Sequence, residues 1–561
     1  MSSKSRSRAK QHAKPAARPA APTLHVKDAL LFAIVFGLGV VLFGIISVSL
    51  GQDNNWDLRN YHYYNPYAFL NNRLGFDIAP AQMQTYFNPV TDLLFYFLVN
   101  HVRPSWVGFI MGGLHGLSLG LVFMIAYLIF SGFKQWPRAG LSLLCALIGL
   151  YGPIFIGELG ASQNDTIMSL FILGAVLLLL RHINRPNTTE GWKALIAPAA
   201  AGALIGFAAG LKDTSAIYAV GMAVAILFIE PTWKIRIRTL VVWGGGALVA
   251  FLIIRGHWLL TLNGHFGNPM FPYFNNIFHS PWTEQVSNAD MRYMPANFVE
   301  ALFRPFMYVV KNQFTLFSND FRDARYAVLY VLLLALIVAW YIRRRKNRAD
   351  KSHASDTLLD RSGFFLVIFF AVTYIVWQIQ FSIIRYTSGL EALGPLLIVI
   401  LIFALVRIRW LQGVLIAAAF LFIAVDMQAL NHNRLERLPW TGKFWDVQTP
   451  RLEDPDHTII LIAGSRPWGY LMPFFPKGVR FVRVESNFTN PRSATRMQEE
   501  IRNVLGAHQG PMFLLTRPQY LQANNEVLNA YRLAAGQNAM PVYSKHEPNG
   551  LVLCPVSRKS S

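Results

Sequence analysis

Apolar runs long enough to cross a lipid bilayer recur through most of this chain, and no other feature constrains its fold as strongly. A helix needs roughly 17–25 mostly apolar residues to cover the hydrocarbon core. Runs of about that length lie at 29–50, 105–131, 139–157, 165–181, 194–211, 214–229, 239–254, 325–342, 363–383, 388–406 and 410–426. They predict an α-helical polytopic membrane protein with about eleven transmembrane helices. The composition agrees: only 14% of the residues are charged, against about a quarter in soluble domains.

The formal charge of +21 does not point to nucleic acid, because much of it sits in short runs between the apolar segments. Lys134/Arg138, Arg181/Arg185/Lys193, Lys234/Arg236/Arg238, Arg343 to Lys346 and Arg407/Arg409 all fall on one side if the helices alternate. The positive-inside rule makes that side cytoplasmic. The N-terminal segment 1–28 has no acid before Asp28 and reads as a basic, disordered cytoplasmic tail able to touch anionic lipid. A cleaved signal peptide fits less well, since 29–50 exceeds a usual signal core and no small-x-small site follows it. Cys145 and Cys554 are too far apart and too few to imply a disulfide framework.

The opposite, external side receives loops 51–104 and 255–324 and the tail 427–561. Within the first loop, Asn88 to Leu98 is too short to span and reads as an interfacial helix. The tail changes character. Thr458 to Gly464, Arg480 to Val484 and Met512 to Thr516 have strand patterns, and Ala494 to Leu505 has helical spacing, so the tail predicts a small α/β domain. Gly464-Ser465-Arg466-Pro467 lacks the glycines and lysine of a phosphate-binding loop.

Chemistry-bearing side chains gather at the external ends of the apolar runs. Gly51 to Asn65 carries Asp53, Asp57, Arg59, Tyr61 and His62. Asp53 suits either a helix cap or a catalytic carboxylate. If the segment is helical, Asp57 shares a face with Tyr61, and burial beside an apolar run is expected to raise its pKa toward useful base strength. Glu158, Asn164 and Asp165 open the fourth run on the same side. Asp165 fits an N-terminal helix charge, and the three together could line a cavity with Asp57. Lys212 stands in a short external turn, where it could neutralise Asp213, snorkel, or meet a lipid phosphate. Arg385-Tyr386 precedes a late run. A positive charge on the external side opposes the orientation bias, so Arg385 is read as a phosphate ligand. The aromatics and prolines of Gly267 to Asn275 read as a headgroup belt. Arg322 and Arg325 have acids beside them and are set aside as donor ligands.

In order along the chain, these features resemble the GT-C superfamily of polyprenyl-phosphate-dependent glycosyltransferases, which includes protein O-mannosyltransferases and lipid A aminoarabinose transferases. The matching elements are the first-loop carboxylate Asp57 with Asp53 nearby, Gln163-Asn164-Asp165, Lys212, and Arg385-Tyr386. The first-loop acids are separated here by Asn-Asn-Trp, where many mannosyltransferases carry a paired Asp-Glu.

The resemblance implies a GT-C-like transmembrane domain over 29–426. It also implies inverting hexosyl transfer from a polyprenyl-phosphate sugar to an acceptor hydroxyl at the external face of the inner (plasma) membrane. Asp57 would be the general base, with Asp53 and Asp165 as further catalytic carboxylates. Lys212, Arg385, Tyr386 and His62 would surround the donor phosphate, and Arg59, Tyr61, Glu158 and Asn164 would contact the acceptor or sugar. No metal ligand set is assigned, although Asp57 and Asp165 leave room for a divalent ion. The partners implied are the lipid-linked donor, membrane lipids and a glycan, lipid or protein acceptor. A lipid-linked glycan ligase or polymerase is the alternative. A transporter or flippase fits less well, because the polar residues cluster at one membrane face and not near the midplane.

Overall fold

The computed structural model describes residues 26–185, 191–229, 232–310, 313–314, 320–349, 358–427 and 436–559. The expected basic tail, 1–28, lies almost wholly outside the described residues.

Helices occupy each apolar run: α1 (Val26–Leu50), α2 (Pro104–Ile129), α3 (Gln135–Leu150), α4 (Asp165–Ile183), α5 (Ile196–Leu211), α6 (Ala216–Ile229), α7 (Trp233–Phe266), α8 (Arg325–Ala349), α9 (Arg361–Gln380), α10 (Ser388–Leu405) and α11 (Arg409–Met427). Among the described residues, nine helical segments are long and apolar enough to cross a membrane. Helices α3 and α6 are shorter, at 16 and 14 residues. Helix α10 is the most buried span, while α1 and α7 turn residues such as Leu38, Ile45, Leu252 and Ile253 outward. Outward apolar side chains in this number suit lipid, where backbone groups must be satisfied inside each helix.

Glycines at four-residue spacing draw the helices together. Gly112, Gly116 and Gly120 of α2 lie against Phe43 and Ser47, Gly39, and Phe36 of α1, leaving no room for a Cβ. Gly202 and Gly206 of α5 meet the backbone of α7 at Trp243 and Ala247 in the same way. Without a strong hydrophobic force between helices in lipid, such close backbone approach is how they associate.

Two boundaries differ from the sequence expectation. The run 139–157 is not one helix: α3 ends at Leu150 and a short helix, Pro153–Gly157, follows. Proline at its first position cannot continue the helix before it, and a side chain at Gly152 would collide with Arg325 and Glu391. The long loop expected from 255 begins later, because α7 continues to Phe266 and stops at Gly267 with φ 68°, a left-handed cap suited to glycine. Its last turns are kept helical by Trp258, Leu262 and Phe266, spaced by four and buried against the sheet of the tail.

The tail forms a mixed sheet of β1 (Val447–Gln448), β2 (Ile459–Ala463), β3 (Arg480–Glu485), β4 (Met512–Thr516), β5 (Leu533–Ala535), β6 (Met540–Ser544) and β7 (Leu551–Arg558). The order is β1-β6-β7-β4-β2-β3, with β5 also pairing β7. Strand β2 runs parallel to both β3 and β4, and the helix Arg496–Ala507 makes the crossover between those two.

This sheet and the loop after α1 share one core. Leu58, Tyr64 and Phe95 of the loop cluster with Trp445, Trp468, Tyr470 and Leu553 of the tail. Gln52–Asp53 pairs with Arg437–Leu438, and Ile78 bridges to β3. Arg73 and Asp77 form a buried pair, at 2.6 Å, whose guanidinium also reaches the carbonyls of Lys477 and Val479.

Candidate active site

The first loop leaves α1 at Gly51 and enters a π-helical turn, Leu58–His62, with Asp57 at its head. The i→i+5 pattern is wider than an α-turn, so His62 as well as Tyr61 comes back toward Asp57. The Asp57 carboxylate accepts from Arg385 Nη1 at 2.9 Å and from Gln163 Nε2 at 3.2 Å. Asp165, the first residue of α4, places its carboxylate 2.6 Å from Lys212 Nζ and 3.5 Å from Arg385 Nε. Four separated stretches thus deliver two acids and two cations to one buried cluster. The Tyr386 ring lies 5.3 Å from the Arg385 guanidinium and 5.8 Å from Lys212 Nζ.

Local structure explains the placement. Arg385 lies in the turn Ile384–Thr387 that feeds α10. That turn is pinned by Trp377 Nε1 donating to the Ile383 carbonyl at 2.7 Å and Tyr218 Oη to the Tyr386 carbonyl at 2.8 Å. The loop before α4 is drawn against α1 at Gly160, where φ is +69° and a Cβ would strike Ser47. Lys212 and Asp213 do not neutralise each other, since Asp213 pairs with Arg255 at 2.8 Å. Among the described residues, no three His, Cys, Asp or Glu side chains are grouped to hold a metal ion. Asp57 and Asp165, the two acids considered for one, face side-chain cations.

Beside this cluster, His62 Nδ1 lies 2.7 Å from Asp92 Oδ1, and Asn164 Nδ2 donates to the same oxygen at 2.8 Å. Asp92 was missed from the sequence. Its signal was a lone acid inside the otherwise apolar stretch read as an interfacial helix, and the helix proper, Leu93–His101, begins just after it. Gln163 and Asn164, adjacent in the chain, therefore hold two different carboxylates.

Other expected site residues lie elsewhere or do other work. Arg59 is turned toward the tail, with Nη2 3.1 Å from Glu436 and Nη1 3.2 Å from Glu547; it joins loop to sheet and is not placed as an acceptor contact. Asp53 is consumed by amide donors, the Asn55 backbone and side chain and the Ser162 backbone at 2.8–3.0 Å. Such a saturated carboxylate shapes the loop. Glu158 is fully buried and accepts from the Thr166 backbone at 3.1 Å. The Gly267 to Asn275 aromatics are more than a headgroup belt: Phe271 is buried, and Tyr273 stacks on Phe87, which meets the Tyr61 ring edge-on.

Asp57 departs from the expected raised pKa. Burial pushes its carboxyl up, but Arg385, His62 and Lys212 together pull it below the ordinary carboxylate value. Glu158 goes the other way. Burial, reinforced by neighbouring Asp165, pushes it well above that value. The two carboxyls thus shift in opposite directions, Asp57 toward its ionised form and Glu158 toward its protonated one. Burial and the Asp57 charge push the Tyr61 phenol well above its ordinary value, so it stays neutral.

Comparison with known proteins places this geometry in context. The model of glycosyltransferase family 87 matches residues 86–367, a span that includes Asp92, Glu158, Asp165 and Lys212 and excludes Asp57 and Arg385. No curated protein matches the chain. Among solved structures, ArnT from Cupriavidus metallidurans bound to undecaprenyl phosphate is 12% identical, covering 94% of this chain and 97% of that one with a TM-score of 0.46. The oligosaccharyltransferase of Archaeoglobus fulgidus in the apo form is 13% identical, covering 89% of this chain and 71% of that one with a TM-score of 0.41.

Proposed function

The chain belongs to glycosyltransferase family 87, and we propose that it moves a hexosyl group from a polyprenyl-phosphate donor to an acceptor hydroxyl at the external membrane face, with inversion. The observation that carries this reading is the convergence of Asp57, Asp165, Lys212 and Arg385 in one buried cluster. Asp57 is the general base. Its depressed pKa keeps it ionised and ready to accept the hydroxyl proton as the acceptor oxygen attacks the anomeric carbon. The bond from that carbon to the phosphate oxygen breaks on the opposite face, and its electron pair leaves with the lipid phosphate.

Lys212 and Arg385 supply the positive charge that the departing phosphate needs as its own negative charge grows. Asp165 holds both cations in place before the donor arrives. Tyr386 orients them through its ring. The reading takes the external ends of α1, α4, α5 and α10 as one face, with the N-terminus cytoplasmic and the sheet domain extracytoplasmic in the inner (plasma) membrane.

The test is transfer of labelled sugar by purified full-length protein from a panel of synthetic polyprenyl-phosphate sugars, wild type beside Asp57→Asn. Transfer by wild type that disappears in the variant, with donor binding retained, supports the reading. Activity only on diphosphate-linked glycans would assign a ligase or polymerase instead.

A further inference from the structure

Asp57 alone is a poor resting place for the acceptor's proton. Arg385 stands 2.9 Å from its carboxylate, and a cation at that distance favours the ionised form. One π-turn along from Asp57 lies an imidazole that the reading above leaves without a task. His62 is 3% exposed, and its Nδ1 meets Asp92 Oδ1 at 2.7 Å. Because the ionised Asp92 carboxylate can only accept, Nδ1 carries the hydrogen and Nε2 keeps a free lone pair. Asn164 fixes Asp92 from the other side at 2.8 Å. Nε2 itself is buried and has no hydrogen-bond partner. An unsatisfied buried acceptor costs stability, and the fold gains nothing visible from this one.

We propose that His62, oriented by Asp92, relieves Asp57 of the acceptor's proton during sugar transfer. The proposal rests on the reading of Asp57 as general base. The acceptor oxygen bonds to the anomeric carbon as the carbon–oxygen bond to phosphate breaks. The acceptor's proton moves to the Asp57 carboxylate and from there, through one intervening water, to Nε2. Asp92 stabilises the resulting imidazolium, as a carboxylate does in a Ser-His-Asp triad, and the proton passes to water when products leave. The charged and titratable groups around the pair are Asp57 and Tyr61 from its own turn, Asp92 and Asp165, and Lys212 and Arg385. Tyr61, whose ring centroid is 4.1 Å from the imidazole's, stays neutral and does not compete for the proton.

The experiment measures kcat and KM against pH for full-length wild type, His62→Gln and Asp92→Asn, using the polyprenyl-phosphate sugar that wild type accepts. His62→Gln should lower kcat on the order of 10²-fold and change the shape of the pH profile. Asp92→Asn should lower kcat as well, because the imidazolium loses its counter-charge. A raised acceptor KM with kcat and pH profile unchanged would overturn the relay. Thermal unfolding of each variant beside its kinetics separates a folding defect from a lost relay: a His62→Gln protein that unfolds as wild type does and keeps wild-type kcat overturns the relay. Asp57→Asn separates the two readings. Full activity there sinks the base assignment and the relay together, whereas an inactive Asp57→Asn beside an unaltered His62→Gln sinks the relay alone.

Discussion

Asp57 and Arg385 stand 328 positions apart in sequence and meet at 2.9 Å. The contact joins the first loop to the turn before α10, so the carboxylate proposed as base is held by the cation proposed to meet the donor phosphate. Gln163 and Asp165, two residues apart, each bind one side of this pair, through Asp57 and Arg385 respectively. The motif before α4 is therefore the frame on which the acidic and basic halves are registered.

Replacing Asp57 by Asn removes the proposed proton acceptor while keeping shape. Sugar transfer is expected to fall about 10²–10⁴-fold, with donor affinity kept or improved because Arg385 loses its carboxylate partner. Single-turnover transfer and equilibrium donor binding, measured on the same preparation, separate the two effects. A variant that binds donor as weakly as it reacts would argue that Asp57 only holds Arg385.

Arg385→Gln tests the sign of the Asp57 shift. With the cation gone, burial is left as the leading influence and the carboxyl moves upward. The acid-side limb of activity that reports Asp57 should therefore shift to higher pH. In wild type the depressed folded value means that the stabilising contribution of Asp57 is complete above the ordinary carboxylate range. It is lost only as pH falls through the lower folded value. Residual activity and thermal unfolding, both followed downward from neutral pH, would show the two variants parting in that order.

Lys212→Met deletes the closest cation to Asp165, at 2.6 Å, and keeps the apolar stem. Loss of one charge at the leaving phosphate should reduce kcat about 10²–10³-fold, with Lys212→Arg recovering part of it. Steady-state kinetics over donor concentration decide the matter, since an unchanged kcat with a higher KM would confine Lys212 to ground-state binding.

Arg73→Met strands Asp77 in the core shared by loop and sheet. Arg73 donates to both Asp77 oxygens, at 2.6 and 2.7 Å, and to two tail carbonyls. Breaking one half of a buried pair costs about 3–5 kcal/mol. The expected result is a lower unfolding temperature and faster proteolytic release of the tail, without any change in donor specificity.

The sequence disclosed the helices because apolar length is a local property, visible in each run without knowledge of its neighbours. It disclosed the strands 459–463 and 512–516 for the same reason. Asp57, Asp165, Lys212 and Arg385 could be picked out one by one, since a charge beside an apolar run is conspicuous. Their pairing could not, because no spacing reports a contact across hundreds of residues. The direction of the Asp57 shift went wrong on that account: burial was legible, the cations that overcome it were not. The partners of Arg59 were hidden in the same way, its two carboxylates lying in the tail. Asp92 stayed hidden because one acid before an apolar helix looks like a helix start, and its histidine arrives thirty positions earlier.

The shared core of first loop and C-terminal sheet also sets an order on biosynthesis. Lys545 closes onto Gln52 from 493 positions downstream. At a synthesis rate of about 5–20 residues per second, the loop carrying Asp57 and His62 waits roughly 25–100 s for the strands that complete it. Throughout that interval its aromatic side chains have no permanent cover. The ribosome must therefore nearly finish the chain before the first loop can settle, and a nascent chain cut short near its end would carry every described membrane helix and still lack the strands that complete the loop.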